Sequence, residues 1–322
     1  KHGLLSDDLS MPIRGVSRAM SQVMELIRKV APTSATVLIT GESGTGKELV
    51  AHAIHALSKR AQHPFIALNC GSFSEALISS ELLGHARGAF TGAVMDRAGL
   101  IREAGKGTLF LDEIATTKQN FQIVLLRVLE QRMARPVGAG AEYPVACRFI
   151  AAANRDLGRM AAEGEFREDL FYRLNMFNIH LPPLRERRED IPVLTNFFLL
   201  QASQEYGKKV NGISAEALRQ LEEAPWPGNV RQLRNAVERA VILAEDHVLE
   251  RRDFALPPAL AVGHSDPLAL PDADFDQAMA DYERRLLAEA MRQAGGNVSE
   301  AARRLGMKRP RLCYRLKLLG LA

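Results

Sequence analysis

The 322-residue chain lacks the features of a secreted or membrane protein. Its three cysteines, Cys70, Cys147 and Cys313, fit no zinc-binding or redox spacing, so we expect free, reduced thiols. No hydrophobic run is long enough to cross a membrane, and residues 1–14 contain no apolar stretch resembling a secretory signal. These absences predict a cytoplasmic protein with no membrane attachment. Because the sequence starts with Lys1 instead of methionine, we expect it to be part of a longer protein.

The chain also has little net charge, +4, but that charge is unevenly distributed. Residues 297–322 contain seven basic residues and one acid, Glu300, which gives this segment +6 and leaves the rest of the chain at −2. A basic C-terminal segment on a near-neutral body favours a module that binds a polyanion. A solvated helix face is the alternative that charge alone leaves open.

The first 180 residues or so alternate short β-branched runs with amphipathic stretches, which predicts a parallel sheet covered by helices. We predict strands at residues 36–40, 65–68, 108–111 and 147–152. From residue 191 to about 244 the pattern is helical throughout, without strand signals, which indicates a small α-helical domain. Four prolines between residues 256 and 273 indicate a linker, and a last helical unit is predicted at about 275–321.

A phosphate-binding loop is predicted directly after the first strand. Its candidate nucleotide-binding residues run Gly41, Glu42, Ser43, Gly44, Thr45, Gly46, Lys47 and Glu48. Glycines let backbone N–H groups converge on phosphate oxygens, the following helix start adds a positive dipole, and Lys47 adds a mobile positive charge. Glu48 stands where Ser or Thr usually binds magnesium in such loops.

Three other predicted strands end in polar residues suited to phosphoryl transfer. Asp112 and Glu113 follow an apolar strand, so Asp112 is a candidate Mg²⁺ ligand and Glu113 a candidate to orient and polarise the attacking water. Asn154 ends another strand and is a candidate contact to the γ-phosphate or the water; a simple turn residue is the alternative. Asn69 is a candidate partner that hydrogen-bonds Glu113, or a residue that only caps its loop.

The segment between the phosphate loop and the Asp112–Glu113 pair contains a hexapeptide, Gly88, Ala89, Phe90, Thr91, Gly92 and Ala93. A hairpin turn whose phenylalanine packs inward is the simplest structural interpretation. However, the hexapeptide resembles the hallmark of the sigma-54 activators, and from about Ile13 to its end the chain resembles that NtrC-like family. The resemblance implies an AAA+ ATPase with ATP and Mg²⁺ as cofactors. It also implies a mobile loop at 88–93 that contacts the sigma factor of sigma-54 RNA polymerase.

The same resemblance implies roles for three arginines. Arg167 and Arg173 lie in a segment that supplies arginines to the neighbouring subunit of a ring, although a pair of interface salt bridges is the alternative. Their spacing of six residues places them on different helix faces, which suggests distinct roles. In the segment 226–233, Asn229 is predicted to cap a helix, with Gln232 completing a capping box. Arg231 resembles the sensor arginine that reaches the nucleotide from the lid.

The C-terminal segment reads as a short helix, a glycine turn at Gly306 and a second helix from 310 to 319, which is helix-turn-helix geometry. It resembles the Fis-type DNA-binding domain of the same family. The candidate DNA contacts are Arg309, Arg311, Tyr314 and Arg315. A preceding amphipathic helix at 275–291 is predicted to mediate dimerisation.

Together these observations predict an α/β AAA+ core at 1–185, an α-helical lid at 186–255, a linker at 256–273 and an all-α helix-turn-helix domain at 274–322. The expected partners are sigma-54 RNA polymerase, enhancer DNA and further copies of the chain, from a dimer to a ring of six or seven subunits. The chain departs from the family pattern at Arg14, Ala86 and residues 115–118. Two other functions remain open: a DNA-binding repressor with an ATPase-like scaffold, and an unfoldase or helicase loader.

Overall fold

The computed structural model describes residues 13–73, 75–90 and 93–254, and, nearer the C-terminus, 287, 290, 291, 294, 297–304, 306, 307 and 309–318. Packing divides the chain into two compact units, Lys1–Ala259 and Leu260–Ala322. The predicted linker at 256–273 and most of the predicted helix at 275–291 lie outside the described residues. In the described part, no helix is long and apolar enough to cross a membrane.

The first unit begins with alternating strands and helices, as predicted. Its main helices are α1 (Arg18–Val30), α2 (Lys47–Ala56), α3 (Glu75–Leu83), α4 (Leu100–Ala104), α5 (Gln119–Gln131), α6 (Leu157–Ala162) and α7 (Glu168–Leu174). Its strands are β1 (Val37–Thr40), β2 (Phe65–Asn69), β3 (Gly84–His85), β4 (Arg97–Ala98), β5 (Thr108–Asp112), β6 (Met133–Ala134), β7 (Tyr143–Pro144), β8 (Arg148–Ala153) and β9 (Phe177–His180).

Five of these strands form a parallel sheet in the order β2-β5-β8-β1-β9. The four predicted strands are all present, each within one residue of its predicted bounds, and the α/β fold class is confirmed. The sequence analysis missed β9, because it is an edge strand in which only Ile179 is buried. The order places β8 between β5 and β1, so the segments that follow these three strands are neighbours.

Alternate side chains of the strands pack on opposite faces of the sheet, as the pleat requires. Leu38, Leu109 and Phe149 belong to one apolar core, while Ile39 and Phe110 belong to the other. Helices cover both faces, which is the usual arrangement of a parallel sheet. Two buried faces hold the strand ends in a fixed register.

Two short antiparallel pairs project from this core. Strand β3 pairs with β4, and β6 pairs with β7. His85 of β3 also forms a parallel bridge to Val137, and Ala86 N–H donates to the Val137 carbonyl at 2.9 Å. The segment that leads into residues 88–93 is therefore held from both sides.

The rest of the first unit is a helical lid with its own apolar core. It contains α8 (Ile191–Glu205), α9 (Ala215–Glu223) and α10 (Asn229–Leu243), which pack around buried Phe198, Trp226 and Leu233. The prediction of helices without strands was wrong at one place. Strands β10 (Gly212–Ile213) and β11 (Val248–Leu249) form a parallel pair, and two residues are too few to give a strand pattern in sequence.

The second unit contains two described helices, α11 (Val298–Arg304) and α12 (Arg309–Leu318). Gly306 between them has φ +62°, a conformation that favours glycine. Ala301, Leu312 and Leu316 are buried in a small core with Leu287. Helix, glycine turn and helix agree with the predicted helix-turn-helix.

Candidate functional site

The C-terminal ends of the parallel strands bring Lys47, Asp112, Glu113 and Asn154 together at one edge of the sheet. Thr40 is in register with Ala153, and Asn69 with Asp112. One pocket at this edge is lined by residues from three strand ends and the lid, among them Lys47, Glu48, Asp112, Glu113, Asn154 and Arg231. Parallel α/β sheets commonly bind ligands at this edge.

The predicted phosphate loop connects β1 to the first turn of α2. Gly44 and Gly46 have φ values of +76° and +104°, which L side chains rarely adopt. Lys47 begins α2, and its Nζ donates hydrogen bonds to the carbonyl oxygens of Gly41 at 2.8 Å and Glu42 at 2.9 Å. Burial lowers the pKa of Lys47, an effect that the carboxylates of Asp112 and Glu113 oppose. The loop has the shape and charge of a phosphate cradle.

Asp112 is the last residue of β5, and Glu113 follows it in a left-handed backbone conformation. Glu113 adopts φ +54°, and its N–H donates to Asp112 Oδ1 at 2.9 Å. Left-handed backbone at a residue other than glycine is strained and is often found at functional sites. Thr116 supports this turn, because its hydroxyl donates to the Glu113 carbonyl at 2.8 Å. Thr116, in the segment 115–118, therefore contributes a hydrogen bond to the turn that holds the predicted catalytic glutamate.

The Glu113 carboxylate lies against Gly71, where a Cβ would be 2.6 Å from Glu113 Oε2. Asn69 Oδ1 accepts a hydrogen bond from Gly71 N at 2.8 Å. Among the described residues, Asn69 and Glu113 are not hydrogen-bonded to each other, and Asn69 caps its own loop. Its pairing with Glu113 stays a prediction for another state of the site.

The prediction for Asn229 was wrong. Gly228 is the N-cap of α10, and Gln232 Oε1 accepts from Gly228 N at 2.9 Å, so Gln232 caps one residue earlier than predicted. The Asn229 side chain instead accepts from Leu184 N at 2.7 Å and donates to the Ser43 carbonyl at 3.0 Å. Sequence could not distinguish the two cases, because the partners of Asn229 are far away in the chain.

An apolar pocket adjoins the phosphate loop, and most of its lining was not predicted. Leu49 of α2, Phe197 and Phe198 of α8, and Val230 of α10 face it. The guanidinium of Arg14 lies 4.2 Å from the centroid of the Phe197 ring, a cation–π contact. These residues come from separate segments, so no local motif could indicate the pocket.

Arg167 and Arg173 are not among the described residues that line either pocket. Arg167 precedes α7 and forms an ion pair with Asp169 at 2.6 Å. Arg173 donates to the Leu129 carbonyl at 3.2 Å. In this chain neither arginine lines the pocket that contains Lys47 and Glu113.

The structure describes four residues of the hexapeptide, Gly88, Ala89, Phe90 and Ala93; Thr91 and Gly92 lie outside the described residues. Gly88 N–H donates to the Ala93 carbonyl at 2.8 Å, which closes the base of the loop. Phe90 is half-buried rather than part of the core, so the inward-packed alternative is not supported.

Helix α12 of the second unit carries the candidate DNA contacts. Leu312 and Leu316 are buried, whereas Arg309, Arg311 and Tyr314 are exposed and Arg315 is half-buried. One face of this helix thus packs against the second unit, and the basic and aromatic side chains lie on its more exposed surface. This is the distribution expected of a recognition helix.

A parallel sheet with a phosphate loop, a helical lid and a helix-turn-helix in one chain define an AAA+ regulator. Residues 13–180 match the Sigma-54 interaction domain family, 185–267 the AAA+ ATPase lid domain, and 278–318 the bacterial regulatory protein, Fis family. The chain belongs to the family of sigma-54-dependent transcriptional activators.

The curated relatives agree with this assignment. The transcriptional regulatory protein ZraR of Klebsiella oxytoca is 45% identical over 306 residues, which cover 94% of this chain and 68% of ZraR. The nitrogen fixation protein VnfA of Azotobacter vinelandii is 47% identical over 298 residues, 92% of this chain and 56% of VnfA. This chain therefore corresponds to about half to two thirds of these longer proteins.

Among solved structures, NtrX from Brucella abortus in complex with ADP superposes with a TM-score of 0.74 at 38% identity, covering 96% of this chain and 69% of NtrX. The same protein in complex with ATP gives a TM-score of 0.72 at 36% identity, with the same coverage.

Proposed function

We propose that this chain hydrolyses ATP and uses the energy to remodel sigma-54 RNA polymerase while bound to enhancer DNA in the cytoplasm. The observation that carries the proposal is the single pocket that brings together Lys47, Asp112, Glu113, Asn154 and Arg231. These are the residue types that phosphoryl transfer requires. The nucleotide-bound NtrX structures support ATP as the nucleotide.

The residues present fit a triphosphate with Mg²⁺. The glycine-rich loop and Lys47 would hold the phosphates, and the half-buried carboxylate of Asp112 supplies the oxygen ligand that Mg²⁺ prefers. The ion would neutralise phosphate charge when bound. The neighbouring apolar pocket, with Leu49 and Val230, fits the base.

In the proposed reaction, Glu113 orients and polarises the water that attacks the γ-phosphorus and accepts its proton as the bond to the β-phosphate oxygen breaks. Lys47 and Arg231 stabilise the negative charge that develops on the phosphate oxygens. Asn154, which follows the central strand β8, contacts the γ-phosphate or the water. Asn69 hydrogen-bonds Glu113 and holds it away from the water until hydrolysis is required.

We further propose that the active site is completed between subunits of a ring. Arg167 and Arg173 lie away from the pocket of their own subunit, as arginines that act on a neighbour must. An arginine supplied by a neighbouring chain raises turnover by about 10³–10⁵ in the GTPases where it is known. The proposed assemblies range from a dimer to a ring of six or seven subunits.

The loop at 88–93 then contacts the sigma factor. Its base is fixed by β3 and β4, so a displacement of the core is transmitted to its tip. The contact residues are Gly88, Ala89, Phe90, Thr91, Gly92 and Ala93. The helix-turn-helix holds the protein at enhancer DNA through Arg309, Arg311, Tyr314 and Arg315.

The test is to measure ATP turnover and sigma-54 promoter opening on the same preparations of wild type and Thr91→Ala. We expect the variant to retain turnover and to lose promoter opening. A protein that hydrolyses ATP but opens no promoter in its wild-type form would favour the unfoldase or helicase loader. A protein that binds DNA without hydrolysing ATP would favour the repressor.

A further inference from the structure

The phosphate loop is hydrogen-bonded to the lid and to the junction, the segment that joins core and lid. Each of the four residues between Gly41 and Gly46 accepts at least one hydrogen bond from the lid or the junction. The bonds run from Arg185 and Asn229 to the Glu42 carboxylate, from Asn229 to the Ser43 carbonyl, from Arg231 N to the Gly44 carbonyl and from Arg187 to the Thr45 carbonyl, over 2.7–3.3 Å. In each of these hydrogen bonds the phosphate loop is the acceptor, and the lid or the junction is the donor.

This arrangement fixes the direction of the loop's own N–H groups. In a trans peptide the C=O and the following N–H point to opposite sides, and the described chain has no cis peptide. Because the carbonyls of Ser43, Gly44 and Thr45 point towards the lid and the junction, the next three N–H groups point away from them. A hydrogen bond accepted by a carbonyl also polarises its peptide group and strengthens the N–H as a donor. The N–H groups of a phosphate loop are its anion ligands.

Asn229 is central to this network. It is fully buried, and its amide bridges three segments, since it accepts from Leu184 N and donates to the Glu42 carboxylate and the Ser43 carbonyl. Only a carboxamide offers both an acceptor and two donors on one short side chain. Its φ of +52° is one that asparagine tolerates better than most residues.

Two further contacts bring the lid and the loop together independently of Asn229. A Cβ on Gly44 would lie 2.3 Å from the Gly228 carbonyl oxygen, so the two backbones touch and no larger residue fits. Arg187 is buried and donates to the Thr45 carbonyl at 2.9 Å while facing Asp190 at 3.9 Å. Both backbone and side-chain contacts therefore hold the lid and the junction against the phosphate loop.

We propose that Asn229 and Arg187 are positioning residues that orient the N–H groups of the phosphate loop towards the nucleotide, and that Arg185 supports them by holding the Glu42 carboxylate against the Asn229 amide. Lid orientation and phosphate affinity then depend on each other, because coupling between two equilibria is reciprocal. None of the three needs to touch the nucleotide. The inference rests on the proposed nucleotide site and adds how the lid controls it.

The test compares ADP and AMP binding to the whole chain by calorimetry. Asn229→Asp keeps the acceptor for Leu184 N but removes both donors and places a second carboxylate beside Glu42. We expect ADP affinity to fall about 10- to 100-fold, the range for hydrogen bonds to charged groups. AMP lacks the β-phosphate, so its affinity should change less than about threefold. A variant that is merely unfolded would lose both ligands equally.

Asn229→Gly is the second variant. Because glycine tolerates the positive φ, this substitution removes the side chain without straining the backbone. Glu42→Gln, at a half-exposed site, removes the ion pair with Arg185 with only a small effect on folding stability and should weaken ADP binding about threefold or more. Asn211→Asp makes the same chemical change at an exposed lid position and should bind ADP as wild type does.

The outcomes separate the two proposals. Wild type that binds no ADP would show that the nucleotide site is wrong, and this inference would fall with it. If wild type binds ADP and the Asn229 and Glu42 variants bind it with the wild-type affinity, only the inference is overturned. Equal losses of ADP and AMP in folded variants would also overturn it.

Discussion

The imidazole ring of His85 packs edge-on against the phenyl ring of Phe90, with 5.0 Å between the ring centroids and 64° between the ring planes. Ser80 Oγ lies 2.7 Å from His85 Nδ1 and fixes the ring from the other side. Strand β3 anchors the His85 backbone. Phe90 thus rests on the rigid base of its own loop.

Removal of this ring should loosen the loop. In His85→Ala, we expect hydrogen exchange of the amides in residues 88–93 to become about twofold to tenfold faster, because an aromatic pair stabilises by about 0.5–1.5 kcal/mol. His85→Phe should exchange at the wild-type rate, and His63→Ala at an exposed site serves as the control. Exchange by mass spectrometry that is unchanged in His85→Ala would exclude the contact as a restraint.

Glu113→Gln should separate binding from hydrolysis. The amide keeps the size of the side chain but cannot accept a proton, so we expect turnover to fall about 10²- to 10⁴-fold. ATP binding, measured by calorimetry, should remain near the wild-type value. Glu130→Gln, at an exposed position on α5, is the matched control. Normal turnover in Glu113→Gln would refute the role proposed for this residue.

Arg148 should be important for stability rather than activity. This buried side chain donates to the carbonyls of Val30 and Ala31 at the end of α1 and to that of Ala35. Arg148→Met leaves three acceptors without this partner, and we expect a loss of about 2–4 kcal/mol in the free energy of unfolding by urea. Arg159→Met, at an exposed ion pair, should change it by less than about 0.5 kcal/mol. Similar values for the two variants would contradict this account.

The ion pair of Glu42 predicts a pH dependence. The hydrogen bonds from Arg185 hold the pKa of Glu42 below its ordinary value of 4.5. Because the folded-state pKa is lowered, the stabilisation is complete above pH 4.5 and is lost as the pH falls through the folded-state value. Wild type should therefore melt about 1–3 °C above Glu42→Gln at pH 7, with a smaller difference below pH 4.5. A difference that grows on acidification would have the wrong sign.

Arg311 provides a test of the helix-turn-helix. In Arg311→Gln we expect weaker enhancer binding, and, if the contact is to phosphate, a salt slope smaller by about one. Arg239→Gln on the lid removes the same charge from an exposed position outside that module. Fluorescence anisotropy at several salt concentrations measures both quantities. Equal effects of the two substitutions would indicate non-specific attraction only.

The sequence predicted most of the sheet and its active edge because the signals are local. An apolar strand followed by Gly41–Lys47, or by Asp112 and Glu113, can be recognised within ten residues. Parallel pairing then brings such ends together in any sheet of this kind. The edge strand β9 and the two-residue strands escaped detection because each has too few buried residues for a pattern.

The contacts between distant segments could not be predicted. Asn229 looks like a helix cap in sequence, since asparagine is common there. Its true partners, Leu184 and Ser43, are 45 and 186 residues away. The pocket around Phe197 and the ring contact of His85 with Phe90 likewise depend on tertiary packing.

The apolar core of the lid is separate from the two cores that flank the sheet. A rotation of the lid as a rigid body would therefore leave its own core residues buried. Helix α10 begins at the phosphate loop and contains 15 residues. At 1.5 Å per residue it is about 22 Å long, so a turn of about 10° at its first residue carries its far end through about 4 Å. A turn of the lid by this angle would therefore displace the far end of α10 by about the rise of two to three helical residues.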